Sequence, residues 1–380
     1  MHPELPAYPS IYSKPFPDFG KPKIIGFIGL ENLKFARIVK DANVRLNLNR
    51  NMNEVIRKPP DLDVKLTELL RFLLENEIRL KYVGADTLDA ADFFCYRGLM
   101  TCLACTPYEK REPWKIVAVL HKGSIYLCAR ETEEQKQRKQ RATEEEKKFA
   151  SWGFKFEQYM LSDGPKSQPN PNVPVDETKE FSLIFKTNLN EHTILYGAEM
   201  DGIRCDTPIN PPPSSEAGVD EIVKYLSTKE FIELKTNRHI EFSNQERSFR
   251  QFKTKKWWCQ SFLVGITKIL CGFRDHFGIV EELKVYEVSD LPKISKNFWD
   301  PNICFNFLDA FLKFVKTCLG REIEYHHGKQ AINKLSTLPL IALQFEWQPG
   351  STVQVSRDYR HEDDPILPNW FVNAFGKKVQ

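Results

Sequence analysis

No segment of this 380-residue chain is both apolar enough and long enough to cross a bilayer. The longest apolar stretch, residues 261–273, is broken by Lys268 and falls short of the roughly 20 residues a spanning helix needs. Residues 1–22 hold six prolines and no apolar run, so neither a signal peptide nor a membrane anchor is expected there, and the segment reads as an extended arm. Charge of one sign is also lacking. Lys plus Arg total 54 against 51 for Asp plus Glu, a net charge of +3, so any polyanion site must be a local groove rather than a global field. The nine cysteines, an odd number scattered through apolar segments, form no disulfide framework and suit buried thiols in a reducing compartment. Cys102 and Cys105 have zinc spacing, but no second such pair or suitably spaced histidine pair accompanies them, and they read as core. His326 and His327 stand without a zinc-deaminase or zinc-protease pattern. Phosphate-binding glycine loops and a serine nucleophile elbow are missing too.

What is present is a large potential core, with 41% hydrophobic and 12% aromatic residues. Leu66, Leu69, Leu70, Leu73 and Leu74 predict a helix over residues 64–76, with Asp61 or Asp63 as cap. Residues 114–120 and 124–128 flank a His121-Lys122-Gly123 turn and read as a β-hairpin. Residues 130–148 are almost wholly charged and read as one exposed helix supported by Glu134/Arg138 and Glu144/Lys148 pairs. They lead into an aromatic segment, residues 152–159, that is too apolar to stay outside and carries Glu157 toward the core. Residues 163–178 and 207–215 read as surface loops rather than domain boundaries. Residues 244–269 predict a long helix, basic early and apolar later. A helix around 305–318 and strands over 338–347 and 351–355 follow. The expected architecture is α+β, with an N-terminal arm (1–22) and a single domain (23–380).

The chemistry lies in two short patterns. If residues 193–204 form one strand, Glu199 and Asp201 share a face while Met200 packs behind. In the second pattern, Glu233 and Lys235 share a face of the next strand, with Ile232 and Leu234 opposite. Neighbouring carboxylates raise each other's pKa, so a stable ionised cluster calls for a cation, and hard oxygen ligands select Mg²⁺ or Mn²⁺. The lysine then orients or deprotonates the attacking water and offsets charge building on a phosphate. Each pair alone could equally be the wet face of an edge strand. Together, in this order, with Glu157 upstream and Gln260 behind Trp257-Trp258 downstream, they read as one site.

Gly153-Phe154-Lys155-Phe156-Glu157, Glu199-Met200-Asp201 and Glu233-Leu234-Lys235 resemble, in order and spacing, the motifs of the DXO family of decapping exoribonucleases. That family includes fungal nuclear relatives that bind the five-prime-to-three-prime exoribonuclease. Tyr96-Arg97-Gly98, Thr106-Pro107-Tyr108-Glu109 and Trp257-Trp258-Cys259-Gln260-Ser261 are similar to further family elements, with Tyr96 standing where the family has tryptophan. The resemblance spans residues 25–370 and implies two twisted mixed or antiparallel sheets flanked by helices, a PD-(D/E)xK or phage-exonuclease-like core. It implies Glu157, Asp201 and Glu233 as metal ligands, with the Leu234 carbonyl and Glu199 completing the shell of two Mg²⁺ or Mn²⁺ ions. Lys235 would address the water, while Tyr96, Arg97, Gly98 and Gln260 would contact RNA. The implied activity is removal of incomplete caps, five-prime triphosphate or hydroxyl ends and NAD-type caps, with five-prime-to-three-prime trimming, by a nuclear monomer. The contrasting reading is a scaffold that stabilises an exoribonuclease partner, in which some of Glu157, Glu199, Asp201, Glu233 and Lys235 would be expected to be lost; all five stand.

Overall fold

In the computed structural model, which describes residues 3–38, 43–59, 65–80, 84–214, 216–361 and 363–374, the expected hairpin forms as Trp114–His121 and Ser124–Arg130. Lys122 and Gly123 at its tip have positive φ of 45° and 74°, the left-handed pair that a two-residue hairpin turn requires. The leucine-rich segment forms the helix Thr67–Leu80, with Leu69, Leu70, Phe72 and Leu73 buried. Its expected caps, Asp61 and Asp63, lie outside the described residues.

The hairpin is the middle of a nine-stranded mixed sheet. Asp92–Tyr96 runs parallel to both Ser124–Arg130 and His192–Glu199, and His192–Glu199 pairs antiparallel with Ser182–Leu189. A seven-stranded sheet faces it, centred on Phe231–Arg238, which runs parallel to Lys268–Arg274 and antiparallel to Gly202–Arg204. The 27-residue helix Pro301–His327 buries Phe305, Phe307, Leu308, Phe311, Leu312 and Val315, and Phe311 meets Trp114 and Phe345 of the nine-stranded sheet edge-on. Mixed sheets with flanking helices are the α+β architecture expected. Parts of residues 3–22 lie against this body: Leu5–Pro6 pairs with the Thr352–Arg357 strand, and buried Tyr12 meets Phe307 edge-on at 5.2 Å.

Three expectations change. Residues 193–204 are not one strand: His192–Glu199 belongs to the large sheet and Gly202–Arg204 to the small one, and the chain crosses between them at Met200 and Asp201. The charged run is two helices, Glu133–Arg141 and Glu144–Met160, each opened by a capping box, Thr132 with Gln135 and Thr143 with Glu146. Its ion pairs also differ, because Arg138 reaches Glu112 on another segment and Glu144 pairs with Lys147. Residues 244–269 make helical turns Ser243–Ser248, Phe249–Lys253 and Thr254–Phe262, and then the chain reverses at Gly265 (φ 72°) into the Lys268–Arg274 strand. Lys255, in the basic early part of that segment, is fully buried.

The helix Glu144–Met160 lies on the small sheet through Phe156, which packs over Gly272. A Cβ at Gly272 would come within 2.5 Å of the Phe156 ring. Gly272→Ala should therefore cost about 1–3 kcal/mol in denaturant unfolding, as overpacking does, and tilt the helix turn that carries Glu157. An unchanged midpoint would show that the contact yields freely.

Candidate active site

Phe231–Arg238 is the central strand of its sheet, so its first four residues are buried, Glu233 among them at 2% exposure. Burying a carboxylate is costly unless it is paired. Glu233 is paired twice. Lys235, two residues on and on the same face, donates from Nζ to Glu233 Oε1, and Arg97 donates from Nη1 to Oε2 at 3.3 Å. Arg97 reaches it as the first residue of the helix Arg97–Cys105, which starts directly from the strand Asp92–Tyr96. Burial opposes ionisation of Glu233, but the charges of Lys235 and Arg97 outweigh it and hold its pKa below the usual carboxylate range. Lys235 is likewise desolvated, and Glu233 and Asp201 more than compensate, raising its pKa.

Asp201 sits at the crossing between sheets. The short strand Gly202–Arg204 pairs with Phe35 and Ala36 on one side and with Phe231 and Ile232 on the other, and Asp201 takes up where the second ladder stops, its Oδ2 accepting from Leu234 N at 2.6 Å. Phe181 and Phe231 stack across the same crossing with centroids 6.4 Å apart. Burial, then the charge of Glu233, pushes the Asp201 carboxyl up to about 7, against the opposing pull of Lys235 and the Leu234 amide. Glu157, in the last turn of its helix, is raised well above the usual range by burial and then by Asp201 and Glu199. Glu199 opens to solvent, yet desolvation and Glu180 still raise it. Glu157, Glu199 and Asp201 line one cleft of about 300 Å³, together with Phe154, Phe181 and Lys34.

The structure thus brings Glu157, Glu199, Asp201, Glu233, Leu234, Lys235 and Arg97 together, and the other expected residues differ from one another in placement. Tyr96 turns to the other side of its strand: its ring lies on Gly197 and its hydroxyl accepts from Leu69 N at 3.3 Å, so it is held as a packing residue rather than in the cleft. Gly98 is exposed, and beyond its own helix backbone and chain neighbours an added Cβ would meet nothing within 4 Å, so no packing contact there calls for glycine. Gln260 is half-buried on Thr254–Phe262. Sequence reasoning missed the Lys58–Glu180 ion pair beside Glu199. Neither residue belongs to a periodic pattern, so no signal marked them.

A cluster in which three acids are driven toward protonation by burial and by one another, beside a fourth clamped by two cations, is built to neutralise charge from outside. The model of RAI1-like PD-(D/E)XK nucleases matches residues 28–372. The chain belongs to that family. This nuclease is 34% identical to the decapping and exoribonuclease protein of Xenopus laevis over 74% of the chain, a stretch that spans 64% of the frog protein. It is 30% identical to the human protein of the same name over 98% of the chain and 90% of that protein. Its fold matches Rai1 of Candida albicans, solved in complex with pU5 and Mn²⁺, at a TM-score of 0.77 over 98% of both chains and 18% identity. Among the described residues no helix is long and apolar enough to cross a membrane.

Proposed function

We propose that this nuclease hydrolyses phosphodiester or pyrophosphate linkages at the five-prime end of RNA, removing incomplete or NAD-type caps and trimming onward. The single observation that carries the reading is the convergence of Glu157, Glu199 and Asp201 on one cleft, with Glu233 clamped by Lys235 and Arg97 beside them. The names of the frog and human relatives support the same substrate end. An all-oxygen, multiply anionic donor set fits hard divalent ions such as Mg²⁺ or Mn²⁺, and Glu157, Glu199, Asp201, Glu233 and the Leu234 carbonyl would hold them. Bound there, such ions supply Lewis acidity toward a phosphoryl oxygen and favour hydroxide at neutral pH.

The chain's own residues have separable tasks. Lys235 places an ammonium beside Glu233, where it donates to the entering water or to a phosphate oxygen and offsets the developing charge. Arg97 fixes the second oxygen of Glu233, and its remaining guanidinium donors suit a phosphate. The hydrogen bond from the Leu234 amide to Asp201 Oδ2 ties the crossing between sheets to the central strand.

The test is product analysis of capped, NAD-capped and five-prime-monophosphate RNAs incubated with Mg²⁺ or Mn²⁺, wild type beside the Asp201→Ala/Glu233→Ala double variant. Cap dinucleotide or intact NAD from wild type alone is expected; equal inertness of both proteins on every RNA overturns the reading. The same preparation tests the exoribonuclease partner, since a bound nuclease would leave five-prime-to-three-prime activity that survives the double substitution. Imaging of a tagged chain tests nuclear residence.

A further inference from the structure

On the opposite end of the His192–Glu199 strand from Glu199, the hairpin to Ser182–Leu189 closes through Asn190 (φ 48°) and Glu191, with His192 paired to Leu189. His192 is 1% exposed, and its ring stands edge-on to Phe93 at 5.6 Å. Among the described residues, neither ring nitrogen has a hydrogen-bond partner, and nor does Asp309 Oδ1, which is buried on the helix Pro301–His327. A buried polar atom left so is costly and calls for a partner. Nε2 of His192 lies 3.8 Å from Glu191 Oε1 and 3.7 Å from Asp309 Oδ1. These separations are too long for hydrogen bonds but close to the roughly 3.3–3.6 Å edge of a tetrahedron with metal–ligand bonds of about 2.0–2.2 Å. Among the described residues, this is the group of three such side chains whose ligand atoms all lie within 4.8 Å of one another.

We propose that Glu191, His192 and Asp309 form a second cation site suited to Zn²⁺, clasping the hairpin to the long helix. Its chemistry separates it from the cleft, because an imidazole beside two carboxylates favours zinc over the hard ions that an all-oxygen set selects. Burial, reinforced by Lys316, lowers the His192 pKa to about 4, so the ring is neutral and offers a lone pair at physiological pH. Two lysines set the site's strength. Lys316 is fixed by the Asp89 carbonyl at 2.6 Å and by the Phe93 ring, so its charge stays nearby and weakens binding. Lys313 now neutralises both carboxylates, its Nζ 2.9 Å from Asp309 Oδ2 and 3.3 Å from Glu191 Oε1. With its side chain 47% exposed, it can swing into water when an ion enters. The ion and the Lys313 ammonium therefore compete for the same carboxylates. Three protein ligands leave a fourth position for water.

The competition makes the test directional. In the full chain carrying Asp201→Asn and Glu233→Gln, so that the cleft no longer contributes, Zn²⁺ is titrated against a chromophoric chelator and thermal unfolding is followed in parallel. One equivalent per chain with a rise in Tm is expected. Glu191→Gln, at an exposed position that preserves folding, and Asp309→Asn should each weaken binding by about 10-fold or more, the scale on which metal sites respond to loss of a supporting group. Lys313→Gln should tighten it. Absence of stoichiometric zinc at micromolar concentration, or the same affinity in Glu191→Gln and Lys313→Gln, overturns the proposal.

Discussion

Asp201→Asn should lower RNA hydrolysis by about 10²–10³-fold or more, the range for loss of one preorganised charge-stabilising group, while leaving the metal-free protein at least as stable as wild type. The asparagine oxygen can still accept from the Leu234 amide, so the crossing between sheets survives. What disappears is a carboxyl that burial and Glu233 push from 3.8 to about 7. Between those values the native state holds a proton that the unfolded chain has released. This group's contribution to stability therefore falls as pH climbs from about 4 to about 7 and is flat above. Glu233 acts in the opposite sense: Lys235 and Arg97 depress its pKa, so its contribution is present above the unfolded value and lost on acidification. The informative quantity is thus the difference between wild type and variant. In chelator, that difference should favour Asp201→Asn increasingly from pH 5 to pH 7. Adding Mn²⁺ should raise the Tm of wild type, because a ligand bound only by the native state stabilises it, and leave the variant nearly unmoved. A variant that keeps wild-type turnover would remove Asp201 from the reaction.

That a carboxylate so unfavourable to bury is retained follows from how the sheets meet, and this is the part that could not be read along the chain. Alternation places Glu233 and Lys235 on one face, and the central strand Phe231–Arg238 keeps that promise because it is regular and flanked on both sides. The same rule applied to Glu199 and Asp201 assumed a continuous strand. Here the two acids end up near one another because the chain leaves one sheet after Glu199 and enters the other at Gly202. A period of two cannot report a change of partner, since Met200 is buried in either arrangement. Glu157 was legible as a charge inside an aromatic frame, but its delivery by a helix end, with Phe156 seated on Gly272, depends on a glycine more than a hundred residues away. The overlong helix over 244–269 failed for a related reason. Residues 266–273 are a short apolar run, which periodicity alone cannot assign to helix or strand, and the turn at Gly265 was the only local mark of the change. Tyr96 was misplaced because a motif fixes adjacency along the chain, whereas successive residues of a strand point to opposite faces. Arg97 enters the site, and Tyr96 turns away to Leu69 and Gly197.

Lys235→Met should lower kcat by about 10²–10³-fold, the range for loss of one preorganised charge-stabilising donor, with little change in KM. The proposed RNA contacts are made by other groups, and an interaction made mainly in the transition state appears in kcat. The environment also says what kind of group Lys235 is. Desolvation would favour the neutral amine, but Glu233 and Asp201 override it and raise the pKa, so the side chain remains an ammonium throughout the neutral range. It therefore acts as a cation and hydrogen-bond donor, and the pH–rate profile should show no ascending limb from its deprotonation. Lys235→Arg should rescue poorly: a planar fork already occupies the other oxygen of Glu233 through Arg97, and a second guanidinium cannot occupy the ammonium's compact position. Removing the ammonium also leaves buried Glu233 with Arg97 alone, so Lys235→Met should be less stable than wild type at pH 7. That gap should narrow on acidification, as Glu233 takes up a proton. If Lys235→Met instead lost stability equally at all pH values, or raised KM with kcat intact, Lys235 would be a structural support for the strand rather than the donor that meets the charge forming on phosphate.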